Sequence, residues 1–209
     1  MKRISELGLV GIGAAFLLGS MSAHASILIS VPSEAALAGS TGNSFDVTLT
    51  NTGPATVAIA GFRFQLLTTN TDITFTGGSF STVAPYIFAG VSFDQDFSFT
   101  LDTLSSGQEL DASDVSDVLS ANVGAGSTVA LGSVLFDMSA NAAPGPAPVT
   151  LLAYPHISLA DGAGNNVEFI GSDGTITITP ASSLPEPASA WLIAGGLALF
   201  GGRLRTRRG

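Results

Sequence analysis

The amino-acid sequence predicts an all-β protein, a β-sandwich with one short helix that is flanked by an N-terminal signal peptide and a C-terminal hydrophobic helix. Two observations carry this prediction. Apolar and polar residues alternate over short windows, which is the pattern of strands that bury one face. Clusters of Gly, Asn, Asp, Ser and Pro separate these windows, and no series of helical segments alternates with them. This arrangement favours a sandwich over a parallel α/β fold.

About nine strands are predicted in a central domain that covers residues 26–180. In the second of them, Phe45, Val47 and Leu49 fall on one face, as the two-residue period of a strand requires. The predicted strands, in order, are 27–31, 44–51, 60–68, 73–76, 97–101, 128–138, 148–152, 167–170 and 175–179. The one predicted helix covers 111–121. The apolar residues of this helix that would face the sandwich are Val115, Val118 and Leu119.

Charge is distributed very unevenly along the chain. Of 209 residues, 16 are acidic and seven are Lys or Arg, and no cysteine is present. Residues 26–184 hold 14 of the acids and a single base, Arg63, which gives a net charge of −13. Such a segment repels phosphate backbones and anionic headgroups, so we expect no binding to nucleic acid or to anionic membranes. Without cysteine, the chain has no disulfide, thiolate metal site or cysteine nucleophile.

The first 25 residues read as a secretory signal peptide. A basic start precedes an apolar stretch at 7–18, and Ala23 and Ala25 supply the small residues that signal peptidase reads. Cleavage is expected between Ala25 and Ser26. The alternative is a retained anchor helix, but the apolar stretch is shorter than the ~20 residues that a membrane span needs.

The chain ends in a second hydrophobic segment. A linker at 181–187 contains Pro185-Glu186-Pro187 and is followed by an uncharged stretch that begins the 188–209 segment. An arginine cluster closes the chain, consisting of Arg203, Arg205, Arg207 and Arg208. Under the positive-inside rule these arginines stay in the cytoplasm, and the domain before the linker lies outside. An ordinary tail anchor would share the hydrophobic stretch and the basic flank.

The order of these three parts, Pro-Glu-Pro, hydrophobic helix and arginine-rich terminus, resembles a PEP-CTERM sorting signal. The resemblance implies processing by an exosortase near the Pro-Glu-Pro motif, with transient anchoring in the inner membrane. It further implies a Gram-negative source that makes exopolysaccharide. The expected location is then the cell envelope, the outer surface or the extracellular matrix.

Parts of the central domain resemble a cohesin domain. Residues 42–49 (GNSFDVTL) and 59–66 (IAGFRFQL) look like its opening two strands, and 131–151 is similar to its later part. The segment 157–179 resembles its last hairpin. The resemblance implies a nine-stranded jelly-roll sandwich, shared by cohesins and related carbohydrate-binding modules. The turn at 67–72 departs from the family, because it lacks the usual Tyr-Asp-Pro-like sequence.

Catalytic chemistry has few candidates. His156 is the only histidine after signal removal, and no Gly-x-Ser-x-Gly motif occurs. Asp94 and Asp96 could act as paired carboxylates, but side chains two apart on a strand point the same way and do not flank a bond. The sequence therefore predicts a protein that is not an enzyme.

Calcium is a possible ligand, because exported domains often bind it through clustered carboxylates. Asp111, Asp114 and Asp117 recur at helical spacing and would share one face of the predicted helix. The alternative is that Asp111 caps this helix while the other two favour its positive end.

Sugar binding would use exposed aromatic rings. Outside the predicted signals, Tyr86 and Tyr154 are the only residues with a phenol and no tryptophan occurs, so these two tyrosines are the candidate ligand contacts. Four phenylalanines could form a platform or belong to the core, namely Phe80, Phe88, Phe93 and Phe97.

Together these observations predict an exported, non-catalytic binding or adhesion module that contacts an envelope protein. A carbohydrate-binding or exopolysaccharide-structuring module is the alternative, and an exopolysaccharide-processing enzyme is the least favoured interpretation.

Overall fold

The computed structural model describes residues 27–80, 84–93, 98–104 and 107–181. The regular elements within these ranges are strands, which confirms the all-β prediction. The strands are β1 Ile27–Ser30, β2 Ser33–Leu37, β3 Asn43–Asn51, β4 Val57–Ile59, β5 Gly61–Thr68, β6 Ile73–Ser79, β7 Ser98–Leu104, β8 Gly107–Val115, β9 Ala121–Val123, β10 Thr128–Met138, β11 Gly145–Leu151, β12 Ser158–Ala160, β13 Phe169–Ser172 and β14 Gly174–Thr179.

These strands form two main sheets. The first has the order β13-β1-β3-β10-β6, and the second has the order β2-β14-β11-β5-β8-β7 with β12 paired to β5. A separate small ladder joins β4 and β9. The pairs β1–β13 and β2–β14 are parallel, and the other pairs are antiparallel.

The core lies between the sheets and follows from the alternation in the sequence. Phe45, Val47 and Leu49 of β3 are buried, as predicted, and Phe64 of β5 is fully enclosed. Phe62 stacks on Phe64 and on Phe88, with ring centroids 6.1 and 5.7 Å apart. Both main sheets and this core lie within Ile27–Thr179, so a fragment of residues 26–184 retains every strand described here.

Every strand predicted from the sequence has a counterpart, and β10 has the predicted bounds of 128–138. The count of about nine is too low for the described residues. Five strands are additional: β8 lies in the segment predicted to be helical, and β2, β4, β9 and β12 have three to five residues each, too few for an alternating pattern to stand out.

The predicted helix at 111–121 is wrong. Most of this segment is β8 and the turn after it, and β8 is hydrogen-bonded on both sides, to β5 and to β7. Leu110 and Ala112 point into the core, while Asp111 between them faces outward. The segment is therefore a strand because it pairs with two neighbouring strands, and this pairing outweighs the helical spacing of its aspartates.

The predicted signal peptide 1–25, with Ala23, Ala25 and Ser26, lies outside the described residues. The same holds for the Pro-Glu-Pro motif and for the hydrophobic segment with its arginine cluster. Within the ranges that the structure describes, no helix is long and apolar enough to cross a membrane.

Candidate functional site

A polar cluster lies on the outer face of the second sheet, at its centre. Arg63 and Gln65 of β5 alternate with the buried Phe62, Phe64 and Leu66 and so lie on the other face of the strand, where Arg63 is exposed and Gln65 is buried. In the antiparallel register Gln65 lies opposite Asp111 of β8, so the carboxylate reaches both polar side chains of the neighbouring strand.

Hydrogen bonds hold the Asp111 carboxylate in place. The Arg63 Nε donates to Oδ1 and Oδ2 of Asp111 at 3.0 and 3.1 Å, and a terminal guanidinium nitrogen completes the ion pair. The Gln65 Nε2 donates to Oδ2 at 2.7 Å. Burial acts to raise the pKa of Asp111, but the hydrogen bonds from Arg63 and Gln65 and the positive charge of Arg63 outweigh it and leave the pKa below its ordinary value.

The cluster extends to His156, the one histidine of the central domain. Its Nδ1 contacts the Oε1 of Gln65, so the Gln65 amide links the imidazole to the Asp111 carboxylate. His156 is exposed. A neutral amide between acid and imidazole does not form the acid–base relay of a hydrolase, in which the carboxylate holds the imidazole directly.

Exposed apolar side chains follow at one end of the same strand. Val115 faces outward from β8 and is 50% exposed, and Val118 and Leu119 lie in the turn after it. Leu119 is 77% exposed and has a backbone φ of 71°, a conformation that non-glycine residues rarely adopt. We call Val115, Val118 and Leu119 the apolar end of the sheet. The prediction that these residues face the sandwich is wrong, because Val115 points outward from β8 and Val118 and Leu119 are exposed in the turn after it.

A buried acid lies on the opposite face of β8. Asp114 accepts hydrogen bonds from the Tyr86 hydroxyl, from the Ser92 hydroxyl at 2.7 Å and from the backbone N–H of Val115 at 2.7 Å. Burial raises the pKa of the Tyr86 phenol, and its hydrogen bond to the Asp114 carboxylate raises it further. Tyr86 is 4% exposed and therefore does not present its ring to a ligand, which corrects its proposed role as a sugar contact.

The three aspartates proposed for calcium are not on one face. Asp111 points outward to Arg63, Asp114 points inward to Tyr86, and Asp117 is exposed in the turn. Residues an odd number apart on a strand point to opposite faces, so Asp111 and Asp114 cannot share a cation. In the part of the chain that the structure describes, no group of three or more His, Asp or Glu residues is placed to hold a metal ion.

An open groove runs along the edge of the sandwich, where β13 of the first sheet faces the β11–β12 connection of the second. We call it the edge groove. Its volume is about 670 Å³, and its floor is formed by the buried side chains of Leu151, Ile157 and Leu159. Tyr154 lines one side and is 72% exposed. Of the two tyrosines singled out from the sequence, only Tyr154 thus lies at a surface cavity.

The phenylalanines proposed as a platform have different environments. Phe88 is in the core and Phe80 packs against it, whereas Phe93 is about half exposed. Phe97 lies outside the described residues, as do Asp94 and Asp96.

Sequence reasoning missed the cluster around Asp111 and the edge groove. Arg63 was a usable signal for the cluster, because a lone base in an acidic domain has many carboxylates to pair with. No short stretch of the sequence predicts the groove, because two separate segments, 151–159 and 166–173, form it together.

The fold of the described residues is that of cohesin domains. A chain of the complex between CaDoc0917 and CaCohA2, a protein of Clostridium acetobutylicum, matches with a TM-score of 0.57 and 18% identity over 74% of this chain and 100% of its own. The sixth cohesin of scaffoldin B from Acetivibrio cellulolyticus, in complex with a Cel5 dockerin, matches with a TM-score of 0.54 and 17% identity over 74% and 99%. A chain of the Coh-OlpC–Doc435 complex, a type I cohesin–dockerin complex from Clostridium thermocellum, matches with a TM-score of 0.55 and 12% identity over 77% and 97%.

These likenesses confirm the cohesin-like sandwich expected from the sequence, and at such identities they establish the fold alone. No protein-family model matches the chain, and no curated protein sequence matches it.

Removing the Tyr86 hydroxyl tests the buried cluster. We expect Tyr86→Phe to lower the free energy of unfolding of the 26–184 fragment by about 1–3 kcal/mol, because the buried Asp114 carboxylate loses a donor. Urea denaturation measures the change. The matched control is Tyr154→Phe, where an exposed hydroxyl is removed and a change within about 0.5 kcal/mol is expected. Equal effects of the two substitutions would contradict the cluster.

Alkaline titration tests the raised pKa of Tyr86. In the Tyr154→Phe variant of the 26–184 fragment, Tyr86 is the only tyrosine and no tryptophan is present. The folded state favours the neutral form of Tyr86. This group therefore does not change the free energy of unfolding below the ordinary tyrosine pKa of 10.0, and it lowers the free energy of unfolding as the pH rises above that value. We expect tyrosinate absorbance to appear only together with loss of β-sheet circular dichroism. Ionisation near pH 10 in a protein that is still folded would argue against the assignment.

Proposed function

We propose that the chain is an exported, non-catalytic protein-binding module that uses the outer face of its second sheet. The observation that carries this proposal is the combination of an apolar end with a rigid polar cluster on one sheet face. Exposed apolar residues grouped at one place mark sites of protein contact in soluble domains. The solved proteins of the same fold include cohesins in complexes with dockerins, which supports a protein as partner.

The apolar end supplies the area that a partner would bury. Val115, Val118 and Leu119 are adjacent in the chain and are all at least half exposed. Val115 lies beside Gly61 of the neighbouring strand, where a Cβ atom in place of the glycine hydrogen would come within 3.0 Å of the Val115 Cγ1. The left-handed backbone of Leu119 costs folding energy, and such strain is typical of positions that act in recognition.

The polar cluster supplies specificity. Arg63 is already paired with Asp111, and the buried Gln65 links Asp111 to His156, so the exposed Arg63 and His156 present polar groups in fixed positions with little entropy left to lose on binding. Because Arg63 is neutralised by its partner, the acidic charge of the domain dominates at longer range. A partner with a basic surface would be attracted to it.

Export and sorting are part of the proposal. Signal peptidase would cut after Ala25, and an exosortase would act at Pro185-Glu186-Pro187, while the arginine cluster at 203–208 remains in the cytoplasm. The domain would then be displayed in the cell envelope or released to the extracellular matrix, with an envelope protein as its partner. The order of the three C-terminal parts in the sequence supports this route.

Replacing Leu119 by Asp tests the binding face. Asp tolerates the left-handed conformation better than Leu, so the variant should fold, and the added charge should abolish contact with an apolar partner surface. We expect the 26–184 fragment to capture a specific envelope protein from the source cells, identified by mass spectrometry, and the Leu119→Asp variant to lose it. The matched control is Leu37→Asp, which alters another exposed leucine at the far edge of the same sheet. A partner that tolerates Leu119→Asp, or none at all, would contradict the proposal.

The sorting step has its own test in the source strain. Replacing Pro185, Glu186 and Pro187 by Ala should leave the C-terminal hydrophobic segment attached, so the protein should fractionate with the inner membrane at the mass of the signal-cleaved precursor. Intact-mass analysis of membrane and extracellular fractions measures this. Ser183→Ala, which leaves the motif unchanged, is the control. Normal release of the triple-alanine variant would show that the motif does not direct processing.

A further inference from the structure

We propose that the edge groove is a binding site for a short neutral oligosaccharide. This site is separate from the protein-binding role proposed for the sheet face and does not depend on it. Four features of the groove support this ligand class: an exposed aromatic side, an apolar floor, a rim of hydroxyl, amide and carboxylate oxygens, and a lining without Lys or Arg among the described residues.

Tyr154 provides the aromatic side. It lies in the connection between β11 and β12 and lines the groove. Its side chain is 72% exposed, which is unusual for a large aromatic residue in a domain with a hydrophobic core. The faces of sugar rings carry C–H groups that pack on aromatic rings. An exposed tyrosine at the side of a groove with an apolar floor can therefore pack against a pyranose ring, and this contact removes apolar surface of the tyrosine from water.

The rim can bind hydroxyl groups. Ser158, Asn166, Glu168 and Asp173 line the groove and carry oxygen or nitrogen atoms that donate or accept hydrogen bonds. One oxygen of Asp173 already accepts the backbone N–H of Leu151 at 2.8 Å, which fixes the orientation of this carboxylate. A ligand with many hydroxyls can both donate to the carboxylates and accept from the amide.

The charges of the groove select against other ligands. None of the residues that line it in the described part of the chain is Lys or Arg, so the charged groups that phosphates and acidic sugars would meet there are carboxylates, which repel them. Glu168 and Asp173 lie at the two ends of β13, about 16 Å apart along an extended strand. They are too far apart to neutralise a single cationic group together. Because they are five residues apart on an extended strand, their side chains also point to opposite faces, so the groove, as far as the structure describes it, has no paired carboxylates for a cation.

The experiment uses the 26–184 fragment, which retains both sheets and the core. Calorimetric titration is carried out with four neutral trisaccharides, cellotriose, maltotriose, mannotriose and laminaritriose, and with trigalacturonic acid and trilysine as charged probes. We expect at least one neutral trisaccharide to bind, with an affinity that does not change between low and high salt, because no ion pair forms. Backbone amide signals of residues 166–171 should shift in NMR spectra on addition of the same sugar.

Variants localise the binding. Tyr154→Ala should weaken it by about tenfold or more, since the stacking partner is lost, whereas Tyr154→Phe should retain most of the affinity because the ring remains. Leu104→Ala, at the opposite edge of the second sheet, is the matched control for removal of an exposed apolar side chain and should have no effect.

Three results would overturn the proposal. They are binding of none of the neutral trisaccharides, sugar binding that survives Tyr154→Ala, and preferential binding of trilysine that weakens with salt and with Glu168→Gln. The last result would assign the groove to a basic peptide. Loss of the protein partner in the Leu119→Asp variant is measured separately, so either proposal can fail without the other.

Discussion

The antiparallel register between β5 and β8 is the constraint on which the rest of the structure depends. It places Phe64 beside Ala112 and Leu66 beside Leu110, so these four side chains fill the centre of the core. On the other face the same register sets Gln65 opposite Asp111 and forms the polar cluster. A slip of β8 by one residue would turn that strand over and bury Asp111 in place of Leu110 and Ala112, at a prohibitive cost. The core and the candidate binding face are therefore fixed by one ladder.

The same strand closes the side of the sandwich through a buried carboxylate. Asp114 binds the hydroxyls of Tyr86 and Ser92, and the segment 84–93 that carries them is also hydrogen-bonded to Ala130 of β10. This segment thus joins the two main sheets and brings Phe88 over Phe62. A buried acid is stable only when its hydrogen bonds are complete, and among the described residues no buried side-chain nitrogen or oxygen lacks a partner. Asp114 consequently ties a long connection to the core without the help of a disulfide.

The fold was largely predictable because the long strands bury one face and show it in their sequences, as in β3 and β10. The error at β8 has a physical origin. Asp111, Asp114 and Asp117 have the spacing of a helical face, and only the pairing with β5 and β7 reveals that two of them point in opposite directions. Tyr86 was misjudged for a similar reason, since its buried partner is 28 residues away in the chain. Tyr154 is exposed, and its role as a ligand contact stays a prediction; the groove beside it is built from two distant segments and could not be predicted from either one.

The two parallel pairs, β1–β13 and β2–β14, give the domain a specific response to mechanical tension. Strand β2 follows β1 directly, and the five residues from Ser33 to Leu37 lie in register with Thr175 to Thr179 of the last strand. A force that pulls Ile27 and Thr179 apart along the strands draws β2 and β14 in opposite directions, so it loads all the hydrogen bonds of this ladder in shear at once. An antiparallel pair pulled from one end would instead open one bond at a time. The ladder between β2 and β14 therefore resists tension that is applied between the first and last strands of the domain.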